Sequence, residues 1–310
     1  MIARLLPIPS LLSILYTGCF GSAEPADTSS TSSSDSLAAC RVADAYGAAV
    51  KSGTVASNAI DEASGLAASK RNPGVLYVHN DSGDSARFFA LNEQAGLIGT
   101  FTVSGATAVD WEDNAVGPCP QGTCVYLGDI GDNDEERTDV ALYRVGEPDI
   151  AGGQTSGSLA AEKFPFAYPD GPHNAESLMV HPTTGSVYII SKSKTGKSHV
   201  YKFPEPLKAN TKVTLVKIAD LNLPSGNSGT ATGADIHPCA PRFLLRTYSR
   251  VYEFRAGAGE SFEQAFTTSP VTLTAPSEDQ GEAIAYAPDG SGYYTVSEGT
   301  KPALYRVSAK

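Results

Sequence analysis

Along most of this chain apolar positions come in short bursts alternating with polar ones, divided by Gly, Pro, Asn and Asp turn signals, the pattern of short β-strands. The bursts group in fours. EASGLAAS is followed by GVLYVHNDSG, RFFALNE and LIGTFTVSG, and the next group is WEDNAVG, CVYLGDIGDN, VALYRVGE and KFPFAYPDG. A third group runs ESLMVHP, SVYIISKSKTG, HVYKFPE and VTLVKIADL; a fourth runs TGADIHP, RFLLRTYS, RVYEFRAG and the stretch from Phe262 to Thr274. The fifth gives GEAIAYAP, GYYTVSEG and ALYRVS, and is one strand short.

Each group opens on an acid in a short apolar segment: Glu62, Glu112, Glu176, Asp235 and Glu282, at intervals of 50, 64, 59 and 47 residues by subtraction. That spacing matches a propeller blade and is too long for a leucine-rich or ankyrin repeat. The pattern predicts an all-β, five-bladed β-propeller. A ring must close, and a missing last strand is commonly supplied from the other end of the chain, so TVASNAI, Thr54 to Ile60, is the predicted closing strand. A six-bladed ring, using the longer spacer after Glu112, is the alternative; two separate β-sandwiches fit the repeat less well.

The two ends refine this picture. Arg4 precedes the apolar run LLPIPSLLSILYTG, too short and too Pro-interrupted to span a bilayer, so residues 1–18 read as an export signal peptide. LYTGC resembles a bacterial lipobox with Cys19 as the lipidated residue, although Tyr16 replaces the usual aliphatic side chain; plain secretion is the alternative. Residues 19–38 are mostly Ser, Thr, Ala, Asp and Gly and read as a flexible tether. Residues 39–310 form a single propeller domain in this division, anchored to a membrane facing the periplasm or exterior, with the lipid as its only membrane contact and the domain a monomer.

Four cysteines remain in an exported chain, where disulfides persist. Cys119 and Cys124 flank the turn sequence Pro-Gln-Gly-Thr and read as a hairpin staple, which pairs Cys40 with Cys239 by elimination. Zinc is the competing reading, and the ligand spacing is poor for it. The balance of 34 acidic against 23 basic residues, a net charge of −11, argues against nucleic acid and favours cations or neutral ligands.

In a propeller the start of each first strand and the end of each second strand share one face. This gathers Glu62, Glu112, Glu176, Asp235 and Glu282 around the upper channel mouth, with Asn80, Asp81, Asp129, Lys192, Arg246 and Glu298 beside them as candidate ligand contacts. A carboxylate ring stays ionised only if a cation or water neutralises it, and oxygen ligands with flexible geometry suit Ca²⁺. The competing reading is a metal-free latch in which each acid accepts backbone N–H bonds from the neighbouring blade. Lys192 and Arg246 are placed either to hold a small anion against the metal or to pair with the ring. GDIGDN lacks EF-hand spacing and equally suits an Asx-turn loop; His181 and His237 read as turn residues on the opposite face, and Trp111 as a packing anchor. There is no GxSxG, HExxH or Walker motif.

The segments GVLYVHNDSGDSARFFAL, VDWEDNAV, VYLGDIGDN, AESLMVHPTTGSVYIISKS, TGADIHP with RFLLRTYS, and QGEAIAY with YYTVSEG resemble a group of exported bacterial β-propeller (lipo)proteins of unassigned function, over roughly residues 60 to 308. A more distant similarity is to calcium-activated nucleotidases (apyrases), five-bladed propellers whose acidic residues hold Ca²⁺ in the central tunnel. That likeness implies Glu112, Glu176 and Glu282 as metal ligands and Lys192 and Arg246 as phosphate contacts. Two functions are therefore in competition: a lipid-anchored propeller binding a small anionic ligand or envelope protein at its top face, with Ca²⁺ in the channel, and a Ca²⁺-dependent hydrolase of a phosphate ester or nucleotide.

Overall fold

The computed structural model describes residues 40–278 and 280–310. The export signal, Cys19 and the tether lie outside the described residues. The first strand in the chain is the last in the architecture: β1 (Tyr46–Thr54) waits for a partner from the other end. Blade 1 is β2 (Ala63–Ala68), β3 (Val75–Asn80), β4 (Arg87–Asn92) and β5 (Leu97–Ser104) in an antiparallel meander. Blade 2 begins with β6 (Trp111–Cys119), β7 (Gly122–Asp129) and β8 (Ala141–Gly146). The chain then gives β9 (Ser156–Ala160) to the outer edge of blade 1, parallel to β5, before β10 (Glu162–Ala167) completes blade 2.

Blade 3 is β11 (Ala175–Val180), β12 (Val187–Ser191), β13 (Lys197–Lys202) and β15 (Val216–Asn222), with the short β14 (Val213–Thr214) running parallel to β10 of blade 2. Blade 4 is β16 (Ala231–Ile236), β17 (Arg242–Thr247), β18 (Val251–Arg255) and β19 (Val271–Leu273). Blade 5 is β20 (Gly281–Tyr286), β21 (Gly292–Ser297) and β22 (Ala303–Ala309), with β1 antiparallel to β22. Inner strand β2 neighbours β6 and β20, β6 neighbours β11, β11 neighbours β16, and β16 neighbours β20, which closes a five-membered ring. The 64-residue interval after Glu112 holds the extra edge strand β9, not a sixth blade.

The core follows the ring. Each of five apolar clusters fills one blade-to-blade interface, as where Trp111, Val125, Leu127 and Tyr143 of blade 2 meet Tyr77, Phe88, Ala90 and Phe101 of blade 1. The first two strands of blades 1, 3 and 5 are buried on both faces, which explains their near-continuous runs of apolar and small residues. Further from the channel, β5 alternates between buried and more exposed positions.

The closing strand differs from the sequence expectation. Tyr46–Thr54 pairs with β22, whereas 55–60 is a crossing segment. The register from Tyr46↔Ala309 to Thr54↔Ala303 carries β1 from the lower face to the upper one. The chain must then travel from the rim of blade 5 to the centre before β2 can begin, and residues 55–60 make that crossing, with Val55 and Ile60 buried. The disulfides join Cys119 to Cys124 and Cys40 to Cys239. The second fastens the lead-in of β1 to the β16–β17 turn, and Arg41 N donates to Asp289 O at 2.7 Å on the same lower face.

Candidate functional site

One irregularity recurs in every blade and sets the site. Between the first and second strands the register slips by one residue near the top: between Ala63 and Leu66, Trp111 and Asp113, Ala175 and Ser177, Ala231 and Gly233, and Gly281 and Ala283. The extra residue of such a bulge leaves the pleat and is re-aimed. Counting from the first paired residue of each inner strand, the equivalent bulge positions are Ser64, Glu112, Glu176, Thr232 and Glu282. The ring is therefore three glutamates and two hydroxyls. Ser64 Oγ donates to Glu112 O at 2.5 Å and Thr232 Oγ1 to Gly281 O at 3.0 Å, so the hydroxyls join neighbouring blades.

Ser64, Asp81, Glu112, Asn133, Glu176, Lys192, Tyr248, Gln280, Glu282 and Glu298 line one cavity of about 190 Å³ at the upper mouth. Six of the residues expected there are brought together: Asp81, Glu112, Glu176, Lys192, Glu282 and Glu298. Asp81, Asp110 and Glu112 can place one carboxylate oxygen each within 4.8 Å of one another. Asp110 was not foreseen. Its loop is pinned when Ile130 N and Gly131 N both donate to Asp110 O at 3.1 Å. Gly131 lies so close that a Cβ there would stand 2.2 Å from Glu112 Oε1 and 2.4 Å from Asp110 Oδ2.

The electrostatics follow from burial and crowding. Burial, then the Asp81 charge, push Asp110 up to about 6. Burial and the neighbouring Glu176, Asp81 and Asp110 raise Glu112 well above the ordinary carboxylate range, and no hydrogen-bond donor among the described residues reaches its carboxylate. Glu282 is pushed up to about 9 by burial and Glu176, against the Gln280 amide that donates to its Oε1 at 2.7 Å. Glu176 is raised less, to about 7, because its ion pair with Lys192 opposes burial. For Lys192 burial works the other way, but Glu176 and Tyr248 outweigh it and its pKa is raised; the ammonium lies 4.9 Å from the Tyr248 ring centre. Asn133 and Gln280 complete a polar wall.

The other expected site residues stand elsewhere. Glu62 and Asn80 line a separate peripheral cavity of about 260 Å³ with Asp84 and Arg87, where Asn80 Nδ2 donates to Ala59 O and Asp84 Oδ2 at 2.9 Å each. Glu62 lies outside the bulge because it precedes the first paired residue, Ala63. Asp129 is a loop clasp: its Oδ1 accepts from Asp110 N at 3.1 Å and Arg137 Nη2 at 2.9 Å. Asp132 caps the same loop through Glu136 N at 2.9 Å and Arg137 N at 2.8 Å, the turn-forming role open to the GDIGDN segment.

Arg246 is fully buried between blades 4 and 5, paired with Glu278, and does not line the mouth. Its position on β17 is directly opposite Gly233, and its guanidinium lies against Gly281, whose missing side chain leaves the room it occupies in the blade interface.

Asp235 lies three residues beyond the bulge, deeper in the channel, where Oδ2 accepts from Tyr286 N at 2.8 Å and Oδ1 from Ile236 N at 2.9 Å. Asp113, next to Glu112, does the same on a larger scale. Its Oδ2 accepts from Leu178 N of blade 3 at 2.8 Å and Ala234 N of blade 4 at 3.1 Å, and Oδ1 from Asn114 N at 2.8 Å. The blade-to-blade latch therefore exists, made by Asp113 and Asp235 and not by the glutamates. Below it the space beside Lys70, Asp235 and Tyr286 narrows to about 20 Å³, room for about one water. His181 and His237 are turn residues, their Nδ1 atoms accepting from Thr183 N and Cys239 N at 3.2 Å. Trp111 is buried, its Nε1 donating to Thr107 O at 3.0 Å.

Fold and site together define a five-bladed propeller with an acid-lined upper mouth. No family model matches the chain, and no curated protein matches it in sequence. Among solved structures, the PQQ-bound aldose sugar dehydrogenase of Streptomyces coelicolor superposes with a TM-score of 0.49 at 12% identity, over 86% of this chain and 99% of that one. The apo soluble aldose sugar dehydrogenase of Escherichia coli gives 0.46 at 10% identity, over 84% and 99%. A chain of a nidogen/laminin complex gives 0.43 at 13%, over 76% and 72%. Likenesses this remote say nothing about the site, and the fold rests on the sheets described above.

Proposed function

We propose that the upper mouth binds a divalent cation, Ca²⁺, through Asp81, Asp110 and Glu112, and that the loaded site holds a small anionic ligand or an acidic group of an envelope partner beside Lys192. The observation that carries this is the convergence of three carboxylates from blade 1 and blade 2 within 4.8 Å, with no donor at Glu112. Without a cation such a group must keep protons; a hard, oxygen-seeking dication removes that penalty. Glu176 and Glu282 stand on the same wall and add carboxyl oxygens, while Lys192 gives an anion a second point of attraction.

Binding is favoured over hydrolysis. A phosphate-ester hydrolase needs charge stabilisation at the transferred group, and the withdrawal of Arg246 into its pair with Glu278 leaves Lys192 as the only basic side chain lining this cavity among the described residues. In this reading the protein is a lipid-anchored, extracytoplasmic binding propeller; two disulfides suit an oxidising compartment, and among the described residues no helix is long and apolar enough to cross a membrane. Calorimetric titration of the full chain with CaCl₂ tests the site. Wild type should bind, and Asp81→Asn and Glu112→Gln should each weaken binding by about tenfold or more. Equal binding by the variants, or none by wild type at millimolar Ca²⁺, would overturn the proposal.

A further inference from the structure

At the rim where blade 2 passes into blade 3 lies a second group of side chains that the channel does not use. His173, from the connection between β10 and β11, and His199, on β13, have ring centres 5.5 Å apart. A carboxylate fixes each ring: His173 Nε2 bonds Asp170 Oδ1 at 3.0 Å, and His199 Nδ1 bonds Asp220 Oδ1 at 2.5 Å. Asp220 is the cross-strand partner of His199 on β15, so the register of the sheet sets this contact. Lys217 joins the two carboxylates, 2.8 Å from Asp220 and 3.9 Å from Asp170. Tyr168 and Tyr201 stand against His173 with ring centres at 5.2 and 5.5 Å, and the Tyr201 hydroxyl donates to Asp170 at 3.0 Å.

An imidazole that gives one N–H to a carboxylate carries its lone pair on the other nitrogen, the arrangement that orients histidines toward metals. Here those nitrogens are His173 Nδ1 and His199 Nε2, and neither has a hydrogen-bond partner among the described residues. Two imidazoles sharing a tetrahedral ion, with metal–nitrogen bonds of about 2.0–2.1 Å, stand with ring centres about 5 Å apart. The observed separation has that size. Two carboxylates against one ammonium leave the cluster with a net negative charge when both rings are neutral, which favours a dication. The side chains are 18% and 28% exposed, so an ion and its water ligands can reach them.

We infer that His173 and His199 form a rim site for a late transition-metal dication of the Zn²⁺ or Cu²⁺ class, through His173 Nδ1 and His199 Nε2, with solvent completing the coordination. Its nitrogen donors separate it from the all-oxygen channel mouth. Asp170 and Asp220 are positioning residues. The site is independent of the channel proposal, and its test keeps the two apart.

The full chain, saturated with Ca²⁺, is titrated with Zn²⁺ by calorimetry and loaded with one equivalent of Cu²⁺ for electron paramagnetic resonance. Wild type should bind one Zn²⁺ and show two-imidazole nitrogen coupling from Cu²⁺. His173→Ala and His199→Ala should each weaken Zn²⁺ binding by about tenfold or more and leave one coupled nitrogen, and Asp220→Asn should weaken it about 10–100-fold. His199→Gln keeps much of the side-chain volume, so an unchanged melting temperature with lost binding separates ligation from packing. Glu112→Gln should leave Zn²⁺ binding intact. No Zn²⁺ binding by wild type, binding that survives both alanine variants, or binding lost in Glu112→Gln would each overturn the inference.

Discussion

Glu112 and Asp113 are neighbours in the chain and have opposite roles. Asp113 faces the channel wall, where three backbone N–H groups from blades 2, 3 and 4 converge on it. Glu112, one residue earlier, is the bulged position and faces the mouth, where no donor among the described residues meets it. The same contrast divides the channel into tiers. Below, Asp113 and Asp235 are also raised by burial, but backbone N–H groups oppose that rise and the same bonds stitch blades together; above, Glu112, Glu176 and Glu282 have at best side-chain partners, and mutual repulsion adds to burial. A backbone-satisfied carboxylate stabilises the ring, whereas a crowded, under-satisfied one stores an affinity for whatever neutralises it.

The largest effect should come from breaking the lower tier. Asp113→Ala leaves the buried N–H groups of Leu178 and Ala234 without their acceptor, at about 1–3 kcal/mol each. Denaturant unfolding should therefore show a loss of roughly 2–6 kcal/mol. An upper-tier change should cost little in chelator. Burial and crowding already hold the Glu112 carboxyl protonated there, so Glu112→Gln replaces one neutral group by another of the same shape and should leave the metal-free protein about as stable as wild type. It should also abolish the Ca²⁺-dependent gain, which in wild type reaches about 2.7 kcal/mol at a hundredfold excess over Kd.

How far the sequence carried this contrast is visible in the same residues. Five repeats, the N-terminal closure and both cysteine pairs were legible, because blade length, turn signals and chain path constrain them. The phase of the ring was only partly legible. Aligning on acids selected Glu62 and Asp235, but a bulge shifts the pleat by one residue, and acidity alone does not report that shift. The signal that does was present: a polar residue between small ones in Ala63-Ser64-Gly65, Ala175-Glu176-Ser177, Ala231-Thr232-Gly233 and Gly281-Glu282-Ala283. Trp111-Glu112-Asp113 breaks that rule and hides the latch beside the mouth residue. Arg246 was misplaced for a related reason, since its side chain follows the space left by Gly281, a tertiary fact.

pH should sharpen the contrast further. Asp110, Glu176 and Glu282 have folded-state values of about 6, 7 and 9, above their ordinary values of 3.8, 4.5 and 4.5. Between those limits the folded protein holds protons that the unfolded chain has released, so the metal-free protein loses stability as pH rises. Melting temperatures in chelator should fall between pH 5 and 8 through these groups together with Asp235 and Glu278, both also raised to about 6 by burial, and Ca²⁺ should flatten the part of the decline that the mouth contributes by replacing its protons. The smallest effect should come from Gly131→Ala. Its methyl group would displace the ends of Glu112 and Asp110 without changing charge, so stability in chelator should hold while Ca²⁺ binding weakens by about tenfold, or 1.4 kcal/mol, by calorimetry.

The most direct measurement is thermal unfolding of the full chain at neutral pH, with Ca²⁺ and with chelator, for wild type, Glu112→Gln and Asp113→Asn. Asp113→Asn should melt lower than wild type in both conditions and keep the Ca²⁺-induced rise, while Glu112→Gln should melt no lower than wild type in chelator and lose that rise. A Glu112→Gln protein that is destabilised in chelator and still responds to Ca²⁺, or a wild type that melts identically in both conditions, would contradict the division of the channel into a structural and a cation-binding tier.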